Sequence, residues 1–205
     1  MIRDALIFAL ILAVVCCFMG ASVAFTYIHC KPHIAVNDRS VLLDSIAAVK
    51  PPGSTVEVAR PLAGQAESPE AVYVARDAEE NAVGYIAQGS AQGYSSVVRV
   101  MVGLRAKDMA IVKVVVLSQL ETPGLGANVE ATKSNYTLWD KLFGSKDPER
   151  LFNPFLDRFD SKPGRQVDDI QGMTAATITS DATKAAVRQA IQRIEKAVGR
   201  AAAEN

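Results

Sequence analysis

The sequence predicts an α+β protein carried on one N-terminal membrane helix, and three patterns support that expectation. A long uncharged run opens the chain, Val- and Ile-rich segments separated by polar turns fill its middle, and an amphipathic helical stripe closes it. A sheet followed by helices, with no internal repeat, is the pattern of a single α+β domain and not of alternating βαβ units.

From Ala5 to Ile28 run 24 residues without a charge. As a helix they span about 36 Å at about 1.5 Å per residue, enough to cross a bilayer. The run outlasts the roughly 7–15 apolar residues of a signal-peptide core. Ser22-Val23-Ala24 has the small residues of a cleavage site, yet the length favours an uncleaved anchor over residues 1–30. Arg3 precedes the span while Lys31 and Arg39 follow it, so charge does not fix its orientation. Cys16 and Cys17, in mid-span, read as small apolar side chains, and Cys30 lacks a lipidation sequence before it. Arg3 and Asp4 are the only charged residues before Lys31. The remaining 175 residues therefore hold 42 of the 44 Asp, Glu, Lys and Arg, the composition of a water-facing body.

Within that body, 38–49 places Leu42, Leu43, Ile46 and Val49 at helical spacing until Pro51-Pro52-Gly53 stops the run. Residues 54–70, rich in Pro, Gly, Ser and Ala, read as linker, so 31–70 is a juxtamembrane helix with a linker and 71–205 the functional domain. Strands are expected at 71–76, 82–88, 96–104 and 110–118, with polar turns at 77–81 and 105–108 that suit antiparallel hairpins. Tyr136–Phe143 has the spacing of a helix whose Leu138, Trp139, Leu142 and Phe143 share one face, with Trp139 a core residue. Residues 144–166, broken by Gly144, Pro148, Pro154 and Pro163-Gly164, read as irregular connection. The last helix is expected over 181–198, with Ala182, Ala186, Ile191, Ile194 and Val198 on its stripe and Thr179 or Ser180 as its cap.

Composition also excludes functions. The balance of 22 Lys+Arg against 22 Asp+Glu argues against a nucleic-acid partner. Both histidines, His29 and His33, and all three cysteines lie within the first 33 residues. The body therefore holds no Ser-His-Asp or Cys-His catalytic group, no Cys/His zinc site and no cysteine-ligated cluster, so any redox centre there is organic. No Ser-x-x-Lys or nucleophile-elbow pattern points to a hydrolase.

Two segments could carry chemistry. Thr174-Ala175-Ala176-Thr177-Ile178-Thr179-Ser180 sets four hydroxyls just ahead of the last helix. Open N–H groups and the positive dipole end let such a turn hold a phosphate, while an over-supplied N-cap explains the same residues. Glu121-Thr122-Pro123-Gly124-Leu125-Gly126 follows a strand and lacks both the phosphate-loop and the dinucleotide fingerprints, leaving a tight turn as its plain reading.

Taken together, these segments resemble the FMN-binding domain family shared by RnfG and NqrC. Those are the membrane-anchored flavoprotein subunits of the Rnf and Na⁺-pumping NADH:quinone oxidoreductase complexes. Glu121–Gly126 is similar to the Glu-Thr-Pro-Gly-Leu-Gly signature and Thr174–Thr179 to the Ser/Thr-Gly-Ala-Thr-x-Ser/Thr flavinylation motif. The likeness covers roughly residues 83–195, including Gly93-Tyr94-Ser95, and the chain's length favours the RnfG type.

The resemblance implies that Thr177 is joined to FMN through a phosphoester made by a separate flavin transferase, and that Thr174, Ala175, Ala176 and Thr179 shape the phosphate turn. It also implies that Glu121, Thr122, Gly124, Leu125 and Gly126 approach the isoalloxazine or ribityl part, with Tyr94 nearby, and that no residue is an acid, base or nucleophile in the redox step. The chain departs from the pattern twice, with Ala175 in place of Gly and Gln171 in place of Asp, while Asp168 and Asp169 lie out of that register. The implied role is an electron relay in an ion-translocating ferredoxin:NAD⁺ oxidoreductase of Rnf type. Its partners would be the other Rnf subunits, among them a second covalently flavinylated membrane protein and iron–sulfur proteins. The FMN domain would face the extracytoplasmic side of the cytoplasmic membrane. The alternatives are an NqrC-like protein or another extracytoplasmic flavin carrier, and a non-redox anchored binding module.

Overall fold

In the computed structural model, which describes residues 2–55, 61–63, 70–134 and 151–203, the chain divides into two units, Met1–Val41 and Leu42–Asn205. A single helix, α1 (Ile2–Val49), carries both the uncharged run and the segment 38–49, with Pro32 inside it. In the first unit, side chains such as Leu10, Phe18, Val23, Phe25 and Ile28 are exposed. The Ser22 and Thr26 hydroxyls donate to the carbonyls four residues earlier, at 2.8 and 2.9 Å. Polar groups turned back onto their own helix are what a hydrocarbon surround demands. Among the described residues α1 is the one helix long and apolar enough to cross a membrane.

The second unit is built on a five-stranded antiparallel meander in the order β1 (Pro61–Ala63), β2 (Val72–Arg76), β3 (Ala82–Gln92), β4 (Val97–Arg105) and β5 (Ile111–Ser118). All four strands read from the sequence are present, β3 running on to Gln92. The fifth, β1, falls in the stretch read as linker; Pro61 is tolerated there because this strand forms the sheet edge. β6 (Lys133–Ser134) and β7 (Leu151–Phe152) pair with each other apart from this sheet. The helix expected over 136–143, Trp139 included, lies outside the described residues. Residues 151–166 are largely irregular, with single 3₁₀ turns at Leu156–Arg158 and Gly164–Gln166. The last helix, α2 (Thr177–Ala203), starts one turn earlier than the sequence suggests.

Strand alternation sorts the two faces of the sheet. Val98, Val100, Val102 and Leu104 of β4 join Ala87 of β3 in the larger core with Ala182, Ala186, Ala190 and Ile194 of α2. Met101 of β4 and Ile86 of β3 point the other way and pack with Ile46 and Val49 at the end of α1. Both helices close tightly. A Cβ on Gly89 would lie 1.9 Å from the Ala186 carbonyl oxygen, and one on Gly103 would lie 2.0 Å from that of Val49. This double burial anchors the end of β3, the end of β5 and the start of α2, the three places that meet at the site.

Candidate flavin site

Three turns converge. Between β3 and β4, the Gly93 N–H donates to the Ser96 carbonyl at 2.7 Å and reverses the chain in a tight turn. After β5 the chain enters Glu121–Gly126, where Gly124 adopts φ +76° and the Leu125 and Ala127 N–H groups both donate to the Thr122 carbonyl at 3.2 Å. Ahead of α2, residues 173–176 turn through Ala175 at φ +59°, and the Ser180 hydroxyl locks the turn. It accepts from the Met173 N–H at 2.8 Å and donates to the Ala176 carbonyl at 2.8 Å.

The Glu121 carboxylate joins the three. One oxygen accepts from the Ser95 and Ser96 N–H groups, each at 3.0 Å, and from the Ser96 hydroxyl at 3.4 Å. The other accepts from the Tyr94 N–H at 3.1 Å and from the Thr179 hydroxyl at 2.5 Å. Burial pushes this carboxyl up, but the hydrogen bonds from Thr179 and from the Ser96, Ser95 and Tyr94 amides outweigh it and hold the group below its ordinary value of 4.5. Glu121 is only 6% exposed, so it enters the site as a buried carboxylate.

These turns enclose a pocket of about 510 Å³ lined by Tyr94, Glu121, Thr122, Leu125, Gly126 and residues 175–179. Of the residues that the resemblance assigns to the cofactor, Thr174 and Gly124 stay outside that lining. Ile178, which sequence reasoning passed over, lines it and is 54% exposed. An exposed isoleucine in the first turn of a helix whose apolar stripe faces elsewhere is the signal that could have found it.

The capping expectation fails. Because α2 begins at Thr177, Thr179 and Ser180 lie inside its first turn, with their hydroxyls committed to Glu121 and to the preceding turn. The N–H groups of Thr177, Ile178 and Thr179 occupy helix positions that have no intrahelical acceptor, and Thr177 itself is exposed beside them.

FMN fits these residues. The pocket volume falls in the range of small-molecule sites, the open amides and positive helix end suit a phosphate, and Leu125, Ile178 and Tyr94 offer apolar surface to a flat ring.

The comparisons with known proteins agree with that fit. Residues 93–192 match the FMN-binding domain family, a stretch that contains all three turns. The G subunit of the ion-translocating oxidoreductase complex of Vibrio atlanticus is 29% identical over 196 residues, covering 91% of this chain and 88% of that protein. The G subunit of the Na⁺-translocating ferredoxin:NAD⁺ oxidoreductase complex of Acetobacterium woodii is 33% identical over 59% of this chain and 53% of its own length. The G subunit of the proton-translocating ferredoxin:NAD⁺ oxidoreductase complex of Clostridium ljungdahlii is 29% identical over 57% of this chain and 56% of its own. Residues 93–192 thus match the FMN-binding domain family, within a chain similar over most of its length to the G subunit of an ion-translocating oxidoreductase complex.

Proposed function

We propose that Thr177 carries FMN through a phosphoester. In this reading the chain works as the G-type electron-relay component of an ion-translocating oxidoreductase complex, anchored by α1 with its FMN domain on the extracytoplasmic side. The observation that carries the proposal is the position of Thr177: an exposed hydroxyl at the open N-terminus of a 27-residue helix, lining the same pocket as Glu121 and Leu125. The likeness to G subunits supports the reading that the partners are the other subunits of such a complex.

Attachment forms a bond between the Thr177 hydroxyl oxygen and the flavin phosphorus. It breaks the phosphoanhydride of an activated flavin nucleotide, releasing a nucleoside monophosphate and the hydroxyl proton, and a flavin transferase supplies that donor. The protein gains one FMN less one water. Bound FMN supplies one- and two-electron transfer, and the residues here position it. Thr177 would fix the phosphate end, and the amides of the first turn of α2 would receive its oxygens. Leu125, Ile178 and Tyr94 would cover part of the ring, and a permanent bond would keep the cofactor at its site where free flavin is scarce.

Intact mass of the full chain, produced together with a flavin transferase, tests this directly. The expected result is a gain of one FMN less water, with the in-gel flavin fluorescence lost in Thr177→Ala. Peptide mapping that finds Thr177 bare, or a colourless protein, overturns the attachment and favours a non-redox module.

A further inference from the structure

Glu121 holds more than its loop. All five of its hydrogen-bond donors, three backbone amides and two hydroxyls, are neutral, so they stabilise the carboxylate without cancelling its charge. The surrounding backbone is shaped to it. A Cβ on Gly93 would lie 2.6 Å from Glu121 Oε1, and one on Gly126 would lie 2.9 Å from Oε2 and 2.5 Å from the Thr179 hydroxyl. Here the chain encloses an anion in the wall of a pocket, where a charge acts more strongly than it does in water.

We propose that Glu121 is a positioning residue that also sets the reduction potential of the attached flavin, its fixed negative charge opposing electron uptake by the ring. The inference rests on the assignment of this pocket to FMN. Each electron that a donor passes to the ring without an accompanying proton leaves one negative charge there, and a carboxylate in the pocket wall disfavours that state. It lowers the potential and makes the reduced flavin a stronger donor to the next carrier.

The test is a spectroelectrochemical titration of the full-length, flavin-loaded protein in detergent, comparing wild type with Glu121→Gln and Thr179→Val. Glutamine keeps the shape and still accepts from Ser95 and Ser96, at the expense of the Tyr94 contact, but removes the charge. Valine at 179 weakens the same network and leaves the charge in place. A midpoint potential more positive in E121Q and not in T179V is the expected result. Equal midpoints in wild type and E121Q, or an equal positive shift in T179V, overturn the proposal.

Should E121Q fail to fold, wild type and T179V are titrated as the pH falls through the carboxylate range. The potential of wild type must bend upward where the carboxyl takes its proton, and that bend must move to higher pH in T179V, which lacks one of the bonds holding the proton off. No bend, or one that does not move, counts equally against Glu121. Loading is established by mass before any titration, so an absent flavin counts against attachment at Thr177 and an unmoved potential against Glu121.

Discussion

Ala175 shows how one residue can sit at odds with its backbone. At φ +59° it occupies the left-handed region, where an L-residue with a Cβ costs roughly 1–2 kcal/mol relative to the ordinary helical region. Glycine meets that demand without strain but adds freedom to the unfolded chain, an offset of about 0.5–1 kcal/mol. The expected effect of Ala175→Gly is a stabilisation of about 0.5–1 kcal/mol, read as a rise in the urea midpoint at constant slope. A destabilised variant would show that the Ala175 methyl makes a contact worth more than the strain. The sequence already flagged this position, since the family pattern has Gly there. What it could not give was the sign of φ, which depends on the Ser180 hydroxyl tying Met173 to Ala176 across the turn. Glu121 was legible as a signature residue for the same reason, while its five donors, drawn from positions 25 to 58 residues away, were not.

Among the elements, the strands were the easiest to read because alternation is written into them. Val98, Val100, Val102 and Leu104 face α2, and Met101 faces the end of α1. The exceptions have physical causes. Residues 89–92 of β3 are Gly-Ser-Ala-Gln, poor in strand propensity, and they are held extended by their pairing with Val97–Val100. The first turn of α2 is Thr-Ile-Thr-Ser, whose hydroxyls look like a cap until Glu121 and the preceding turn are seen to use two of them. Gly89 is the clearest test at this scale, since an added methyl would meet backbone atoms of α2 and no flexible side chain could yield to it. Gly89→Ala should cost at least about 1–3 kcal/mol in thermal or denaturant unfolding, the usual penalty of overpacking. Loss of the proposed flavin attachment should accompany it, because displacing α2 from β3 displaces Thr177 from Glu121. Wild-type stability in this variant would show that the helix slides over the strand without cost.

The molecule as a whole combines a helix made for lipid with a domain made for water. The uncharged run could be read directly from the sequence; the continuity of α1 through Pro32 to Val49 could not, because a proline ordinarily ends such a pattern. The full chain is expected to stay with membranes through alkaline carbonate extraction, whereas residues 42–205 alone, which contain both core clusters, are expected to be released as soluble protein. Extraction of the full chain by carbonate would show that α1 does not span.

The pocket draws its walls from segments around residues 94, 121 and 177, which come together only once β3, β4, β5 and α2 are in place. A nascent or misfolded copy therefore has no such cradle to offer, only a threonine in a flexible peptide. Any modifying catalyst that reads the assembled shape would leave immature copies untouched, so the yellow colour of the product would double as a certificate of correct folding.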